Sequence, residues 1–391
     1  MKYLLYGLLL ALGATACSQA VKQEAEPPRQ VKQYTIEQFY DNKRISGGSF
    51  SADGGKILVS SNETGIYNLY ELPVDGSPMR QLTSDTANSV FAISYFPQDE
   101  RVLYSADNGG DEINHIFLRN TDGTTEDLTP WESAKSQFFG WAQDEKSFFF
   151  TSNKRNPQFF DLFEMDLASM QAKPIYEQTG ELESISPSAI SDDKKHLALT
   201  KANTTSDNNM YLYSLESGEL ALLSEHTGTE SYQPLFFSAD SRYLYYTTDK
   251  DNEFSYLARY DLQQQAHETV FEDSWDVAFA YESKNRKYRV IGINADARTL
   301  VKVFDNETGQ EGDFPKFPGA EIGGISFSHN EKLMKFTVGS SKSPSDIFVY
   351  NFETGEHRQL TNVLNPEIAK DDLVEGEVVR SGQAGFAIRL T

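Results

Sequence analysis

The side chains able to do chemistry in this 391-residue chain are few and scattered. Six histidines, His115, His196, His226, His267, His329 and His357, stand alone, and no two have the spacing that puts a zinc-binding pair on one helical face. A nucleophilic serine needs a strained, exposed turn and a histidine within hydrogen-bond reach. The nearest approach to a Gly-x-Ser-x-Gly elbow, Gly324 to Ser328, lacks the second glycine. Alternating acids between Asp249 and Glu253 lack the further oxygen ligands and the turn glycine of a calcium loop. The adjacent carboxylates Asp111 and Glu112 are left as binding candidates, able to hold a cation by charge-assisted hydrogen bonds; a solvated loop is the plainer reading of the same pair. The sequence therefore predicts no catalytic residue, no metal ligand and no cofactor, although ligands converging on a metal from distant segments would leave no mark in linear spacing.

The elements that must position these residues are written in a repeat. Asp53, Asp99, Asp144, Asp193, Asp240, Asn285 and Asn330 each precede an apolar run, at successive spacings of 46, 45, 49, 47, 45 and 45. Short strands repeating with a period of about 40 to 50 residues predict an all-β, seven-bladed β-propeller of four-stranded antiparallel blades. In the first repeat the strands are read at 46–50, 56–60, 66–72 and 79–83. The sixth repeat is the most degraded. One Asp or Asn per repeat is what turn geometry alone produces, because the short side chain bonds nearby backbone. Glycines in the last turn of most repeats (Gly76, Gly123, Gly218, Gly309 and Gly355) supply positive φ, while the third repeat has none near Ala168–Met170. The ring is expected to close, with Val374 to Thr391 poorly packed.

Charge and cysteine usage narrow the partners. With 58 acidic against 35 basic residues the net charge is −23, which excludes the basic stripe a nucleic-acid binder needs. Residues 1–16 read as a signal peptide, with an apolar run from Leu4 to Leu12 too short to span a bilayer. The Ala14-Thr15-Ala16-Cys17 run resembles a bacterial lipoprotein signal, which implies acylation of Cys17, anchorage to the envelope membrane on its periplasmic side and, with Ser18 next, outer-membrane sorting. Cys17 is the single cysteine, so no intramolecular disulfide forms. Residues 17–33 read as a flexible tether, 34–366 as the propeller and 367–391 as a C-terminal stub.

Several segments carry a family resemblance. Tyr34–Phe39 leading into Phe50–Gly54, then Asn62–Gly65, Tyr67–Tyr70 and the Val74–Gly76 turn running into Gln81–Thr83, resemble the N-terminal propeller of the prolyl oligopeptidase family of serine peptidases. Asp107–Glu112 followed by Ile116–Leu118 and Asp127–Pro130 is similar to the acylaminoacyl-peptidase and dipeptidyl-peptidase branches. The resemblance implies a propeller that gates peptide access to an α/β-hydrolase domain bearing the Ser, Asp and His triad. Asp371–Arg380 resembles the connection into such a domain, and residues 381–391 do not match the strand that follows it. In some dipeptidyl peptidases a glutamate pair on the propeller holds the substrate amine, a role that Asp111 and Glu112 match only in part. Two expectations follow: the non-catalytic propeller portion of such a peptidase, truncated or degenerate, or a stand-alone envelope propeller, like those of the Tol system, that docks a peptide or protein at its face or channel.

Overall fold

Second strands of the blades carry the densest apolar runs, and the fold is organised around them. The computed structural model describes residues 32–380 and 386–389. Residues 45–359 form seven antiparallel sheets contiguous in sequence: six have four strands and the sixth has three. In blade one the strands are Ile45–Phe50, Lys56–Ser61, Asn68–Pro73 and Arg80–Gln81, each boundary within two residues of expectation. The second strands sit in the core because both of their faces meet a neighbouring blade: Ile57, Leu58 and Val59 are fully buried, as are Phe148, Phe150, Leu197 and Leu199. Seven apolar clusters result, one at each seam between blades.

Turn chemistry follows the sequence closely. The Asp or Asn side chain accepts from the N–H two residues on in six blades, at 2.8 Å for Asp53 and Gly55 and 3.2 Å for Asp240 and Arg242. Asn285 differs, donating through Nδ2 to the His329 carbonyl at 2.9 Å. In the outer turns Gly76, Gly123, Gly218, Gly309 and Gly355 have positive φ, and Met170 and Gln265 take that conformation in the two blades without a glycine. Every inner strand also bulges against its second strand, from Gly47–Ser49 in blade one to Gly323–Ser326 in blade seven. A bulge sharpens the local twist, which suits a strand that lines a narrow axis.

No strand is exchanged between blades, so the ring closes mostly through side chains, with a backbone bond from Lys43 N–H to the Val363 carbonyl at 3.1 Å. Ile347 and Val349 of blade seven pack with Phe50, Ile57, Val59 and Leu72 of blade one. Nearer the axis Lys335, 3% exposed, donates from Nζ to the Gly47 and Gly324 carbonyls at 2.7 Å each. The segment after the ring fits the expectation of poor packing from Val374 onward as far as residue 380, with Val374 and Val379 58% and 43% exposed, and few contacts hold it. Gly376 N–H donates to Ser341 Oγ at 2.8 Å, and Glu377–Arg380 pairs with Phe386–Arg389 as a hairpin. Residues 381–385, 390 and 391, like Cys17 and the expected signal, lie outside the described residues.

Candidate functional site

An up-and-down blade sorts its connections onto two faces. The tight turns between first and second strands and between third and fourth strands lie at one end, the turn face. The loops between second and third strands and the blade-to-blade crossings lie at the other, the loop face. The chain entering the first strand of blade one and the chain leaving the last strand of blade seven are therefore both on the loop face. They are tied together there. Tyr34 hydroxyl donates to Asp372 at 2.7 Å and accepts from Ala369 N–H at 2.9 Å. Asn365 donates through Nδ2 to the Gln38 carbonyl at 2.9 Å and through its backbone N–H to Asn42 Oδ1 at 2.7 Å. The short helix Ile36–Tyr40 in this latch starts with a capping box between Thr35 and Gln38 and leaves Ile36 and Tyr40 exposed.

Asp111 and Glu112 are on the same face, in the loop between the second and third strands of blade two. Asp111 Oδ1 accepts from Ile113 N–H at 2.9 Å and Asn108 N–H at 3.3 Å, so half of its carboxylate shapes the loop. Glu112 has positive φ, donates its N–H to Asp107 at 3.0 Å and points into solvent, 82% exposed, with Lys135 Nζ at 3.9 Å. The structure thus separates the pair: Asp111 lines a groove of about 620 Å³ and Glu112 does not. Sequence reasoning missed the groove's other acids, Asp85, Asp107 and Glu132, which arrive from three different connections. Backbone N–H groups of Asn88 and Ala87 hold the Asp85 carboxyl below the usual carboxylate range. His115, also lining the groove, is bonded through Nδ1 to Asp127 at 2.7 Å. Asn88 Oδ1 accepts from Gly109 N–H at 2.8 Å and pins the loop to the crossing from blade one. Neither lysine nor arginine lines this groove, so its chemistry favours a cationic or amine ligand.

The turn face is closed across the axis. Glu145 of blade three pairs with Lys284 of blade six, bonds His329 Nε2 of blade seven at 2.7 Å and accepts from Gln98 Nε2 of blade two at 3.0 Å. Gln143 donates to the Lys284 carbonyl at 3.0 Å, and Arg286 of blade six grips both oxygens of Asp192 of blade four at 2.7 and 2.9 Å. Burial, helped by the Lys284 charge, holds His329 below the ordinary histidine range. Behind these contacts lies a cavity of about 380 Å³ walled by blades three, four and six. No spacing rule could have joined residues so far apart in sequence. Among the described residues no serine hydroxyl hydrogen-bonds a histidine ring, and no three His, Asp or Glu side chains converge to hold a metal ion.

Comparison with known proteins places this architecture. Residues 81–363 match the family model of the prolyl oligopeptidase N-terminal β-propeller domain. Dipeptidyl aminopeptidase BIII of Pseudoxanthomonas mexicana is 26% identical over 159 residues, 40% of this chain and 23% of that protein. Dipeptidyl peptidase family member 6 of Caenorhabditis elegans is 22% identical over 378 residues, 90% of this chain and 49% of the relative. Among solved structures, one from work on two prolyl endopeptidases superposes with a TM-score of 0.67 at 15% identity, covering 90% of this chain and 54% of its own. Prolyl oligopeptidase B of Galerina marginata, bound to a 25mer macrocyclization substrate, gives 0.63 at 16% identity, covering 88% and 54%. The chain spans about half the length of these structures, and half or less of the curated relatives.

Proposed function

Because the chain belongs to the prolyl oligopeptidase family and carries its N-terminal β-propeller, we propose that it docks and admits peptides on its loop face for a serine peptidase site that the propeller itself does not build. One observation carries this reading. Both ends of the ring emerge together on the loop face, so a domain following residue 380 is delivered over that face, while the opposite mouth of the channel is filled by the Glu145 contacts. Peptides then reach the loop face from the side, and the ring acts as a filter by excluding anything that cannot fit beside it. The Asp85, Asp107, Asp111 and Glu132 groove supplies carboxylates for a free peptide amine.

Fluorescence anisotropy with a labelled tetrapeptide tests this directly. A free amino terminus should bind more tightly than its acetylated form, and Asp111→Asn should erase about a tenfold preference. Equal binding of the two forms would dispose of the groove's role. A fluorophosphonate probe addresses the nucleophile: stoichiometric labelling of this chain would overturn the assignment of chemistry to another domain. The membrane partner is proposed to be reached through acylated Cys17, placing the propeller on the periplasmic side of a bacterial envelope membrane. Incorporation of labelled palmitate by the wild type and its loss in Cys17→Ser is the expected result.

A further inference from the structure

Blade six differs from its neighbours at the rim. Its last strand, Arg298–Asp305, is an eight-residue outer edge, whereas the outer strands elsewhere run from two residues in blade one to six in blades three and five. Short, charged outer strands such as Arg80–Gln81 and Thr125–Asp127 are how sheets keep their edges from pairing with other chains. Blade six has no such protection. The chain that follows makes one bridge, Phe304 to Glu311, and then turns away onto blade seven. There the Phe314 ring lies 5.1 Å from Phe336, Phe317 lies 5.3 Å from Phe348, and Tyr350 hydroxyl donates to the Asp313 carbonyl at 2.9 Å. Pro315 and Pro318 could not donate to a ladder in any case.

The edge left open has a readable direction. Asp305 N–H donates to the Gln310 carbonyl at 2.9 Å, and the Val303 carbonyl accepts from Gly312 N–H at 2.7 Å, so odd-numbered residues turn their backbone groups outward. Pairing with Tyr288–Ala295 has no bulge, so the alternation continues: both backbone groups of Val301 and the Thr299 carbonyl face outward as well, while Val303 is buried beneath Gly312. Thr299 N–H is taken by the Glu321 carboxylate at 2.9 Å. A cleft of about 630 Å³ runs between this edge and the diverted segment. Leu300, 49% exposed, lies along it. Lys302 is paired with Glu311 at 3.2 Å, while Arg298 and Lys316 line the cleft without an ion pair among the described residues; with Asp313 also on the lining, the cleft carries three cations against two carboxylates in a chain whose net charge is −23.

We propose that the Arg298–Lys302 edge of blade six is a strand-addition site that takes an extended peptide segment bearing carboxylate side chains as the blade's fourth strand. Both backbone groups of Val301 and the Thr299 carbonyl supply the ladder, and the two unpaired cations select the acidic segment. The cleft is on the outer rim, away from the acidic blade-two groove, so the two sites prefer ligands of opposite charge.

The test uses the whole chain, a labelled decapeptide of alternating Val and Glu, and its Val and Lys counterpart, at physiological salt. The Val-Glu peptide should bind and slow amide hydrogen exchange at Val301. Val301→Pro should weaken binding about tenfold or more by removing an outward donor. Should that variant fold poorly, the surface double variant Arg298→Glu with Lys316→Glu gives the second readout: loss of Val-Glu binding and a gain for Val-Lys. Absence of Val-Glu binding at millimolar concentration, or protection that spares Val301, overturns the proposal. So does Val-Glu affinity unchanged in the double variant.

Discussion

The seam between blades one and two and the seam between blades seven and one solve the same problem with different chemistry. At the first, Leu58 points from the second strand of blade one into Leu69, Val90, Tyr95 and Val102, all buried. At the second, the equivalent position of blade seven is Lys335, and in the other blades it is Leu103, Phe149, Ala198, Tyr245 or Val290. Lys335 reaches across to the Gly47 carbonyl of blade one and back to Gly324 of its own sheet. Gly48 has φ of +139°, and the lysine side chain fills the space a Cβ would need. The difference teaches how a ring without a shared strand can still register its ends: an ammonium fixes two bulged inner strands by named carbonyls, where apolar contacts alone would allow them to slide. The outer half of the same seam remains apolar, through Ile347 and Val349.

The sharpest way to break the comparison is to move the charge. Leu58→Lys places an ammonium in a seam built from apolar side chains, and is expected to lower unfolding free energy by about 4 kcal/mol or more in urea titrations. A loss under about 1 kcal/mol would mean that any seam accepts the lysine. Next in size is the pH dependence of Lys335 itself. Burial pushes its ammonium down to about 8 from an ordinary 10.5. The folded state therefore releases this proton before the unfolded state does, and stability rises with pH between about 8 and 10.5, by up to about 3 kcal/mol. Below about 8 the full burial penalty is present. Other groups also titrate in that window, so the measured quantity is the difference between wild type and Lys335→Met, which should grow in favour of the wild type across it and stay flat below.

These two seams also mark what the sequence discloses. The ring was legible because Asp53, Asp99 and their successors recur with their turns, and an Asx turn is a local device that carries its own signature. The sixth repeat, the most degraded, is where the expected four strands become three, because the chain after Asp305 leaves the edge instead of running along it. Lys335 was visible as one charge in an apolar run, but nothing in sequence names Gly47, nearly the whole ring away, as its acceptor. The inner-strand bulges share no residue type, running through Gly in blade one and Pro187 or Pro234 elsewhere, so no pattern announced them. At the candidate site Asp111 could be singled out as half of an acidic pair, whereas Asp85 and Glu132 become its neighbours only when separate connections fold onto one face.

Smaller effects sharpen the contrast inside the closing seam. Gly48→Ala introduces a side chain at positive φ into space held by Lys335, with an expected loss of about 2 kcal/mol. Part of that loss is steric and should disappear in a Lys335→Ala background, so a double-mutant cycle separates backbone strain from crowding. The least change is Ser326→Ala. Ser326 Oγ donates to the Gly48 carbonyl at 2.5 Å across the seam, and one such bond contributes about 1 kcal/mol. Its counterpart is Ser49 in the neighbouring seam, which accepts from Tyr95 N–H at 3.1 Å and lies 3.1 Å from Ser94 Oγ. Ser49→Ala leaves a buried N–H without its acceptor, while Ser326→Ala leaves a carbonyl beside the Lys335 clamp. The two substitutions are expected to cost about the same in urea titrations, while only Ser326→Ala raises amide exchange on both sides of the blade seven and blade one boundary, which marks the closing seam as the joint that opens locally at the lower free energy; equal exchange in both variants would erase the distinction.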